Sequence, residues 1–548
     1  MAVIKAGSFV KTATPGTTTQ DVPHGLGVVP KALILFHAGG TASATYVDFA
    51  TPFLSFTDEN RSSICIATGH TDNDSGGDSA RRYGAYAMAQ INGSNASFGF
   101  NATVSAWDTT NFTLSYPADS TSTAARIIGF LAIGGSTVQS KVVDHTLDGD
   151  TGPDPITGAG FTPTLALMLS GGNLTGGLPV TDSSHGILSF GVTDGTNQFT
   201  LGTGASNAVS QPDAHRSQRT DNCFLSLNTT QAYTWLAAVT SLDSDGMTLN
   251  VTTAGTAASH LGVLFLRGVA FKMGFFDKDD SGSTNAVDTI STPDVNPQGV
   301  MLASFQNVAT TSIVDHGRFV VGFSDGTNEY TANYNDQDFD SNSNSNVSSY
   351  LHTTKAFHEQ NNDSKSTTGL ADLAVATEQF ALTWTTNFTV ATEICYVAFG
   401  DIAISADVTG TAGDGTTEVL IVAGGQTIII TLTNDTWVAS GATFNAQRQN
   451  IIDGIDSAQA EAAGWDAVVK AGLAVTDVVR TSDTVVTITL PAFGSYNITA
   501  SETITVTVPG TAVTSASPIV ATPTFLVAAG RAIPPFPNRV LRVWPARR

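Results

Sequence analysis

The sequence predicts a mainly β protein in which three tandem antiparallel β-sandwich (jelly-roll-like) repeats are followed by a small α+β domain. A hairpin motif recurs, and prolines that precede apolar segments recur at a similar interval. Short alternating apolar segments follow one another without a helical period as far as residue 403. Many short strands separated by turn signals are typical of sandwiches and jelly rolls.

The recurring hairpin spans residues 190–200 and 321–331, and both copies carry the central sequence Asp-Gly-Thr-Asn. Asp-Gly suits a tight hairpin turn because glycine adopts a positive φ without steric cost. Asp194 and Asp325 lie 131 positions apart, which indicates repeated domains, since solenoid repeats run roughly 20–50 residues. A weaker third copy at 54–60 has glutamate in place of the turn glycine.

Prolines mark the start of an equivalent strand in each repeat. Pro30, Pro163 and Pro297 are separated by 133 and 134 positions, and an apolar segment follows each one. A proline is tolerated there because the first residue of a strand need not donate a hydrogen bond. The predicted boundaries are 1–137, 138–269 and 270–403 for the sandwich repeats, 404–530 for the α+β module and 531–548 for a C-terminal arm.

One long polar insertion distinguishes the repeats from one another. It occupies approximately residues 71–82 in the first repeat, 203–222 in the second and 335–365 in the third. Loops that vary on a fixed scaffold are where recognition usually resides. We therefore expect these segments to be outward-facing loops. They either recognise a partner or are only solvated connections between strands.

The fourth module is predicted to contain one helix, over about residues 444–471, beside several strands. Gly472 follows as a C-terminal stop. The apolar positions recur at steps of four, three, four and three and so share one helical face: Ile451, Ile455, Ala458, Ala462 and Trp465.

The arm at 531–548 combines arginine with proline and contains no acidic residue. A basic segment of an acidic protein can dock on an acidic surface of a neighbouring copy. We therefore predict an assembly arm, with a frayed tail as the alternative. Its candidate residues are Arg531, Arg539, Arg542, Trp544, Arg547 and Arg548.

Charge and composition argue against several functions. The chain has 24 basic and 47 acidic residues, a net charge of −23, and 13 % charged residues against about 25 % in typical soluble domains. Because phosphate backbones attract basic proteins, we expect no nucleic-acid partner. The N-terminus lacks a long apolar core and no run of about 18 apolar residues occurs, so we expect no signal peptide and no membrane insertion.

The three cysteines, Cys65, Cys223 and Cys395, lie in apolar contexts without metal-ligand spacing. An odd and sparse count does not form a disulfide framework. We predict buried free thiols, which is consistent with assembly in a reducing cytoplasm.

Motifs for catalysis are missing from the sequence: it has no nucleophile elbow, Walker loop, dinucleotide fingerprint or paired-histidine zinc motif. We therefore predict that the protein is not an enzyme and that it has no catalytic residue, cofactor or metal. A carboxylate pair for glycoside hydrolysis is defined by the distance between the two groups in the folded protein, so the separation of two acidic residues in the sequence does not identify it. The candidate carboxylates, which their low-complexity setting predicts to be solvated, are Asp72, Asp74, Asp78, Asp336, Asp338 and Asp340.

A calcium-loop pattern occurs at 277–288. Asp277, Asp279, Ser281, Gly282 and Asp288 fall at its positions 1, 3, 5, 6 and 12. The flanking segments are strand-like, and aspartate replaces the usual bidentate glutamate. These departures favour a polar turn and leave calcium binding open.

Two parts of the chain carry distinctive segments, at 7–11, 22–27 and 30–34 in the first repeat and at 443–449, 464–469 and 479–486 in the fourth module. In these segments the chain resembles structural proteins of tailed-bacteriophage virions, and the resemblance covers about half of the chain. It implies a virion protein assembled in the host cytoplasm, and it carries no catalytic residues.

The function that this resemblance implies is an outer tail or tail-tip fibre that helps to attach the particle to its host. The expected partners are other virion proteins, further copies of this chain in a trimer or symmetric array, and a glycan or protein of the host surface. The alternatives are a decoration protein of the capsid or tail tube, and a tailspike that binds or depolymerises polysaccharide.

Overall fold

The computed structural model describes residues 2–12, 18–72, 78–93, 96–117, 120, 122, 124–182, 185–207, 213–256, 259–306, 312–337, 346–361, 365–402, 405–410, 427–457, 470, 472–490, 502–515, 518–523 and 526–527. Two compact units divide the chain, Met1–Ile402 and Ala403–Arg548. The fold is mainly β, as the sequence predicts, and its sheets are built almost throughout from antiparallel pairs.

The first repeat forms a sandwich of two antiparallel sheets. The inner sheet has the order β1-β11-β3-β5-β6-β7, with β4 beside β6, and the outer sheet has the order β2-β10-β9-β8. The strands are β1 (Ala2–Val10), β2 (Thr18–Pro23), β3 (Pro30–His37), β4 (Phe49–Ala50), β5 (Phe53–Thr57), β6 (Ser63–Thr71), β7 (Ser79–Gly84), β8 (Met88–Ile91), β9 (Phe98–Trp107), β10 (Asn111–Tyr116) and β11 (Ile127–Gly135).

The second repeat has the same plan. Its inner sheet has the order β12-β22-β14-β16-β17-β18, and its outer sheet has the order β13-β21-β20-β19. The strands are β12 (Gln139–Leu147), β13 (Gly152–Thr157), β14 (Leu165–Ser170), β15 (Val180–Asp182), β16 (His185–Thr193), β17 (Gln198–Ser206), β18 (Ala214–Arg219), β19 (Phe224–Leu227), β20 (Tyr233–Asp243), β21 (Gly246–Thr253) and β22 (Ser259–Arg267).

The third repeat follows with an inner sheet of order β23-β33-β25-β27-β28-β29 and an outer sheet of order β24-β32-β31-β30. The strands are β23 (Ala270–Asp277), β24 (Val287–Ser291), β25 (Val295–Ser304), β26 (Val314–Asp315), β27 (Gly317–Ser324), β28 (Glu329–Gln337), β29 (Asn346–His352), β30 (Phe357–Gln360), β31 (Thr367–Ala376), β32 (Gln379–Asn387) and β33 (Glu393–Ile402).

The three inner sheets face one another across a shared hydrophobic core. Ile34, Leu167 and Met301, one from each repeat, belong to this core. Their chain neighbours Leu33 and Val300 point the other way, into the separate core of their own sandwich. Successive side chains of a strand alternate between faces, so these strands are buried on both sides and appear in the sequence as unbroken apolar runs.

Edge strands close the three repeats into a ring. Strand β7 of the first repeat pairs with β15 of the second, and β18 of the second pairs with β26 of the third. The third repeat returns to the first, where Ser349 of β29 pairs with Val47. The first unit is therefore a pseudo-threefold assembly within one chain, the arrangement that a cyclic homotrimer would adopt.

The polar insertions contain much more strand than expected. We predicted outward-facing loops at 71–82, 203–222 and 335–365, and this is wrong for β7, β18 and β29, which lie in those segments. Their polar side chains are buried because the neighbouring repeat satisfies them: Ser349 Oγ, for example, donates to Phe49 O at 2.8 Å. Pairing across repeats, which has no local sequence signal, determines this burial.

The unit has two distinct ends. The turn end carries the hairpin turns at Asp58, Asp194 and Asp325. The loop end is where β6, β17 and β28 finish, at the bases of the insertions. Ile402, the last residue of this unit, pairs with Val295 at the turn end.

The second unit contains a mixed sheet of order β36-β39-β40-β34-β35-β38-β37, with β41 beside β39. Residues of β35 and β38, such as Ile430 and Ile488, pack with Phe444 and Ile451 from two short helices. Its elements are β34 (Ser405–Gly410), β35 (Thr427–Thr433), α1 (Ala442–Asn445), α2 (Arg448–Asp453), β36 (Ile455–Ser457), β37 (Val478–Arg480), β38 (Val485–Thr489), β39 (Glu502–Val508), β40 (Ile519–Pro523) and β41 (Leu526–Val527), with 3-10 turns at Val475–Asp477 and Gly510–Ala512.

The predicted helix at 444–471 is wrong as a continuous element. Two short helices replace its first part, and Ile455 lies in β36, where it pairs with Val506. Gly454 ends α2 and packs so closely on the backbone of Thr507 that a Cβ would lie 2.1 Å from its carbonyl oxygen. Residues 458–469 and 471 lie outside the described residues, while Lys470 and Gly472 are helical.

Candidate functional site

The bases of the three polar insertions meet at the loop end. Ser79 N donates to Asn207 Oδ1 at 3.1 Å, which joins the first insertion to the second. Val347 N donates to Asp72 Oδ1 at 2.6 Å, which joins the third insertion to the first. These two contacts join residues that are 128 and 275 positions apart in sequence, so distant segments form one composite surface.

A buried polar network lies beneath this surface at the junction of the repeats. His70 Nδ1 and Asp336 Oδ2 are 2.9 Å apart, and the His70 ring stacks on Tyr334 at 5.4 Å between centroids. The hydroxyl groups of Tyr334 and Thr203 are hydrogen-bonded. Thr203 and Tyr334 are equivalent positions, each the sixth residue of its strand, so symmetry-related side chains meet here.

The same network has the order of groups found in a catalytic triad, but a substrate cannot reach its hydroxyl group. Thr68 Oγ1 lies 3.0 Å from His70 Nε2, opposite the nitrogen that contacts Asp336. A nucleophile-base-acid order requires these opposite nitrogens. Thr68 is 0 % exposed, however, and no substrate carbonyl can approach a fully buried hydroxyl. We interpret the network as a clamp that fixes the register of the three repeats.

The turn end carries a second set of equivalent contacts. Lys141 Nζ lies 3.8 Å from Asp58 Oδ2, and Lys5 Nζ lies 3.5 Å from Asp325 Oδ2, each between neighbouring repeats. Lys272 occupies the third equivalent position, since Lys5, Lys141 and Lys272 pair with Ala132, Phe265 and Ala398 of the closing strands. The recurrence of lysine at one position of each repeat is therefore a sequence signal for contacts between neighbouring repeats, and our prediction did not use it.

In the loop at 277–288 that resembles a calcium site, the carboxylates of Asp279 and Asp288 accept hydrogen bonds from N–H groups of the protein. Asp288 Oδ2 accepts from Trp384 Nε1 at 2.7 Å and from Asp279 N at 3.1 Å. Asp279 Oδ1 in turn accepts from Ser281 N at 2.7 Å. Among the described residues, no group of three or more His, Cys, Asp or Glu side chains converges as a metal site would.

The three cysteines are buried and free, as predicted. Burial raises the pKa of each thiol, to about 12 for Cys223. The thiolate is the nucleophilic form, so these side chains serve packing: Cys65 and Cys223 lie in sandwich cores and Cys395 lies in the shared core.

Two of the carboxylates predicted to be solvated are paired with protein groups instead, and Asp336 is buried whereas Asp72 is partly buried. Asp336 is 4 % exposed and contacts His70, and Asp72 accepts from Val347 N and lies 3.6 Å from Lys365 Nζ. The prediction failed because the donor groups that pair with both carboxylates come from another repeat. Asp74, Asp338 and Asp340 lie outside the described residues, as do the predicted arm residues Arg531, Arg539, Arg542, Trp544, Arg547 and Arg548.

No protein-family model matches the chain, and comparison with curated proteins finds no match. Within the described part of the chain, no helix is long and apolar enough to cross a membrane.

Proposed function

We propose that this chain is a non-enzymatic structural protein of a tailed-bacteriophage particle, an outer tail or tail-tip fibre component whose loop end contacts the host. The single observation that carries the proposal is the polarity of the first unit. The bases of all three insertions lie at one end, and Ile402, where the chain leaves the unit, lies at the other.

Rigidity supports a structural role. The shared core contains large buried side chains from every repeat, among them Phe36, Leu169 and Phe319. Burying a side chain of this size stabilises a fold by about 1.5–3 kcal/mol, so separating the repeats exposes a large apolar surface. A unit of this kind can hold several recognition segments in a fixed relation without needing a separate trimerisation partner.

The charge and the polar insertions of the chain favour binding of glycans or polar protein surfaces over binding of nucleic acids or lipids. With a net charge of −23, the chain repels phosphate backbones and anionic lipids. The insertion sequences are rich in Ser, Asn and Asp, residue types that hydrogen-bond readily to hydroxyl groups of host glycans or to polar protein surfaces.

Electron cryo-microscopy of the intact particle with a gold label on this protein tests the location. Label on the fibres or at the tail tip supports the proposal, and label on capsomers or along the tail tube contradicts it in favour of decoration. Release of reducing ends from host polysaccharide by the purified protein contradicts the non-enzymatic part.

Competition for adsorption tests which end contacts the host. Purified protein added to host cells is expected to block particle adsorption, and replacing residues 338–345 by a glycine-serine linker of equal length is expected to remove most of this effect. The control carries Thr196→Lys and Thr327→Lys, two exposed substitutions at the turn end. Equal competition by both variants contradicts a loop-end contact.

A further inference from the structure

An open cleft of about 510 Å³ lies at the loop end of the first repeat, within the roughly 300–1,000 Å³ range of small-molecule sites. The polar groups of Arg126, Gln90 and Ser122 line it, together with the aromatic rings of Phe49 and Phe98. Of the described residues in the buried polar network, only His70 also lines the cleft.

Positive charge is concentrated around this cleft in an otherwise acidic protein. Arg126 lies over the Phe49 ring at 5.6 Å, and among the described residues no carboxylate forms an ion pair with it. Its Nε atom is buried and has no hydrogen-bond partner among the described residues. Arg82 stacks on Phe98 with its guanidinium carbon 3.7 Å from the ring centroid.

A buried lysine holds the segment that carries Arg126. Lys11 Nζ donates to Ser122 O at 3.0 Å, and Lys11 N donates to Arg126 O at 2.8 Å. Burial, and secondarily the charge of Arg126, lower the pKa of Lys11. The cationic side chains of Lys11 and Arg126 are therefore close together in a partly desolvated environment, and binding of an anion there would offset their repulsion.

The third repeat shows how the same fold neutralises such a lysine. Lys278 occupies the position of Lys11, since their backbone N–H groups donate to the equivalent residues Thr392 and Arg126. Lys278 Nζ lies 2.8 Å from Glu359 Oε2, and both side chains are buried. Gln90 stands where Glu359 would be, the third residue of the short outer strand in each repeat. The first repeat therefore lacks the carboxylate that the third supplies.

We propose that this cleft binds the carboxylate of an acidic saccharide, with Arg126 as the main contact, Lys11 as a positioning residue and the rings of Phe49 and Phe98 against the sugar. Arginine suits a planar carboxylate because its fork offers two parallel donors. This inference deepens the proposed contact with the host by naming the chemistry that one part of the loop end recognises.

Isothermal titration of the full chain with glucuronate as the probe tests the site. Glucuronate is expected to bind, glucose is expected not to bind measurably, and acetate is expected to bind at least tenfold more weakly than glucuronate. Equal binding of glucose overturns the requirement for a carboxylate, and equal binding of acetate overturns the saccharide class.

Variants locate the site. Arg126→Gln is expected to weaken glucuronate binding at least tenfold, whereas Arg61→Gln, an exposed arginine of the turn end of the same repeat, leaves it unchanged. Gln90→Glu places in the first repeat the carboxylate that Glu359 provides in the third. It is expected to abolish glucuronate binding and to raise the thermal midpoint, which excludes misfolding as the cause.

Unchanged binding in Arg126→Gln and Gln90→Glu overturns the inference. The two proposals fail separately: a capsid location contradicts the fibre role while glucuronate binding still stands, and a tail location with no glucuronate binding refutes only this site.

Discussion

Tyr330 of the third repeat lies directly over Gly129 of the first. A Cβ placed on Gly129 would come within 2.0 Å of Tyr330 Cδ1, so glycine is required for the two inner sheets to approach. Both residues are far apart in sequence and face the shared core, and Tyr330 is 0 % exposed. The contact shows that the repeats are fitted to one another and not merely joined end to end.

Gly129→Ala is expected to destabilise the first unit, since overpacking a core costs about 1–3 kcal/mol and the tyrosine ring has no free space to move into. Denaturant unfolding followed by tryptophan fluorescence measures the change. Gly177→Ala is the control, because a Cβ at Gly177 meets nothing within 4 Å. Equal stability of the two variants would show that the sheets do not pack as closely as described.

Glu359→Ser is expected to cost about 3–5 kcal/mol, because it leaves Lys278 buried without its counter-charge. The double variant Lys278→Leu with Glu359→Ser recreates the second repeat, where Leu147 and Ser226 hold the equivalent positions, and is expected to recover most of the loss. Chemical unfolding of both variants gives the comparison. A double variant as unstable as the single one would contradict the ion-pair explanation.

Asp58 and Lys141 are expected to contribute unequally although they face each other. Asp58 is fully buried and its carboxylate accepts from Asn60 N, Ser62 N and Val142 N, so Asp58→Ala leaves buried donors unpaired, at about 1–3 kcal/mol or more. Lys141 is partly exposed and pairs at 3.8 Å, so Lys141→Ala is expected to cost about 0–1 kcal/mol. Thermal unfolding of the two variants decides, and equal losses would refute this ranking.

Glu329 is expected to make stability fall between pH 4.5 and 7. Burial is the main cause that raises the pKa of Glu329 from 4.5 to about 7. The hydrogen bond from Leu373 N lowers this pKa, and repulsion by the Asp372 carboxylate raises it. Because the folded state holds the proton more tightly, the stabilising effect is complete below pH 4.5 and is lost as the pH rises through 7.

The variant Glu329→Gln keeps an oxygen acceptor for Leu373 N without the ionisation. Its thermal midpoint relative to the parent chain is expected to rise from pH 5 to pH 8, as measured by circular dichroism. A constant difference across this range would contradict the elevated pKa.

Much of the fold could be predicted from local patterns. The Asp-Gly turns at Asp194 and Asp325 form the hairpins that the motif indicates, and glycine adopts a φ of 88° at Gly195 and 78° at Gly326. The helix at 444–471 was predicted wrongly because apolar steps of three and four also fit two short helices and a strand that share one core. Ile451 and Ile455 are both buried in that core, but they lie in different elements.

The candidate site was less predictable than the scaffold. The sequence identified the polar insertions, yet it gave no sign that Asp72 would bind Val347 or that His70 would meet Asp336, which lies 266 positions away. The cleft around Arg126 was also missed, since its residues come from several separate strands and one connecting segment.

Local patterns alone established the β class, the threefold recurrence of one sandwich and the apolar pattern of each strand, because turn chemistry and side-chain periodicity are local properties. The packing of the three inner sheets on one another and the meeting of the insertions at one end became apparent only in the folded chain. The unbroken apolar run of β14 shows that both faces of this strand must be buried, but it does not say which surface covers each face. That choice depends on shape and hydrogen-bond complementarity between residues far apart in the chain.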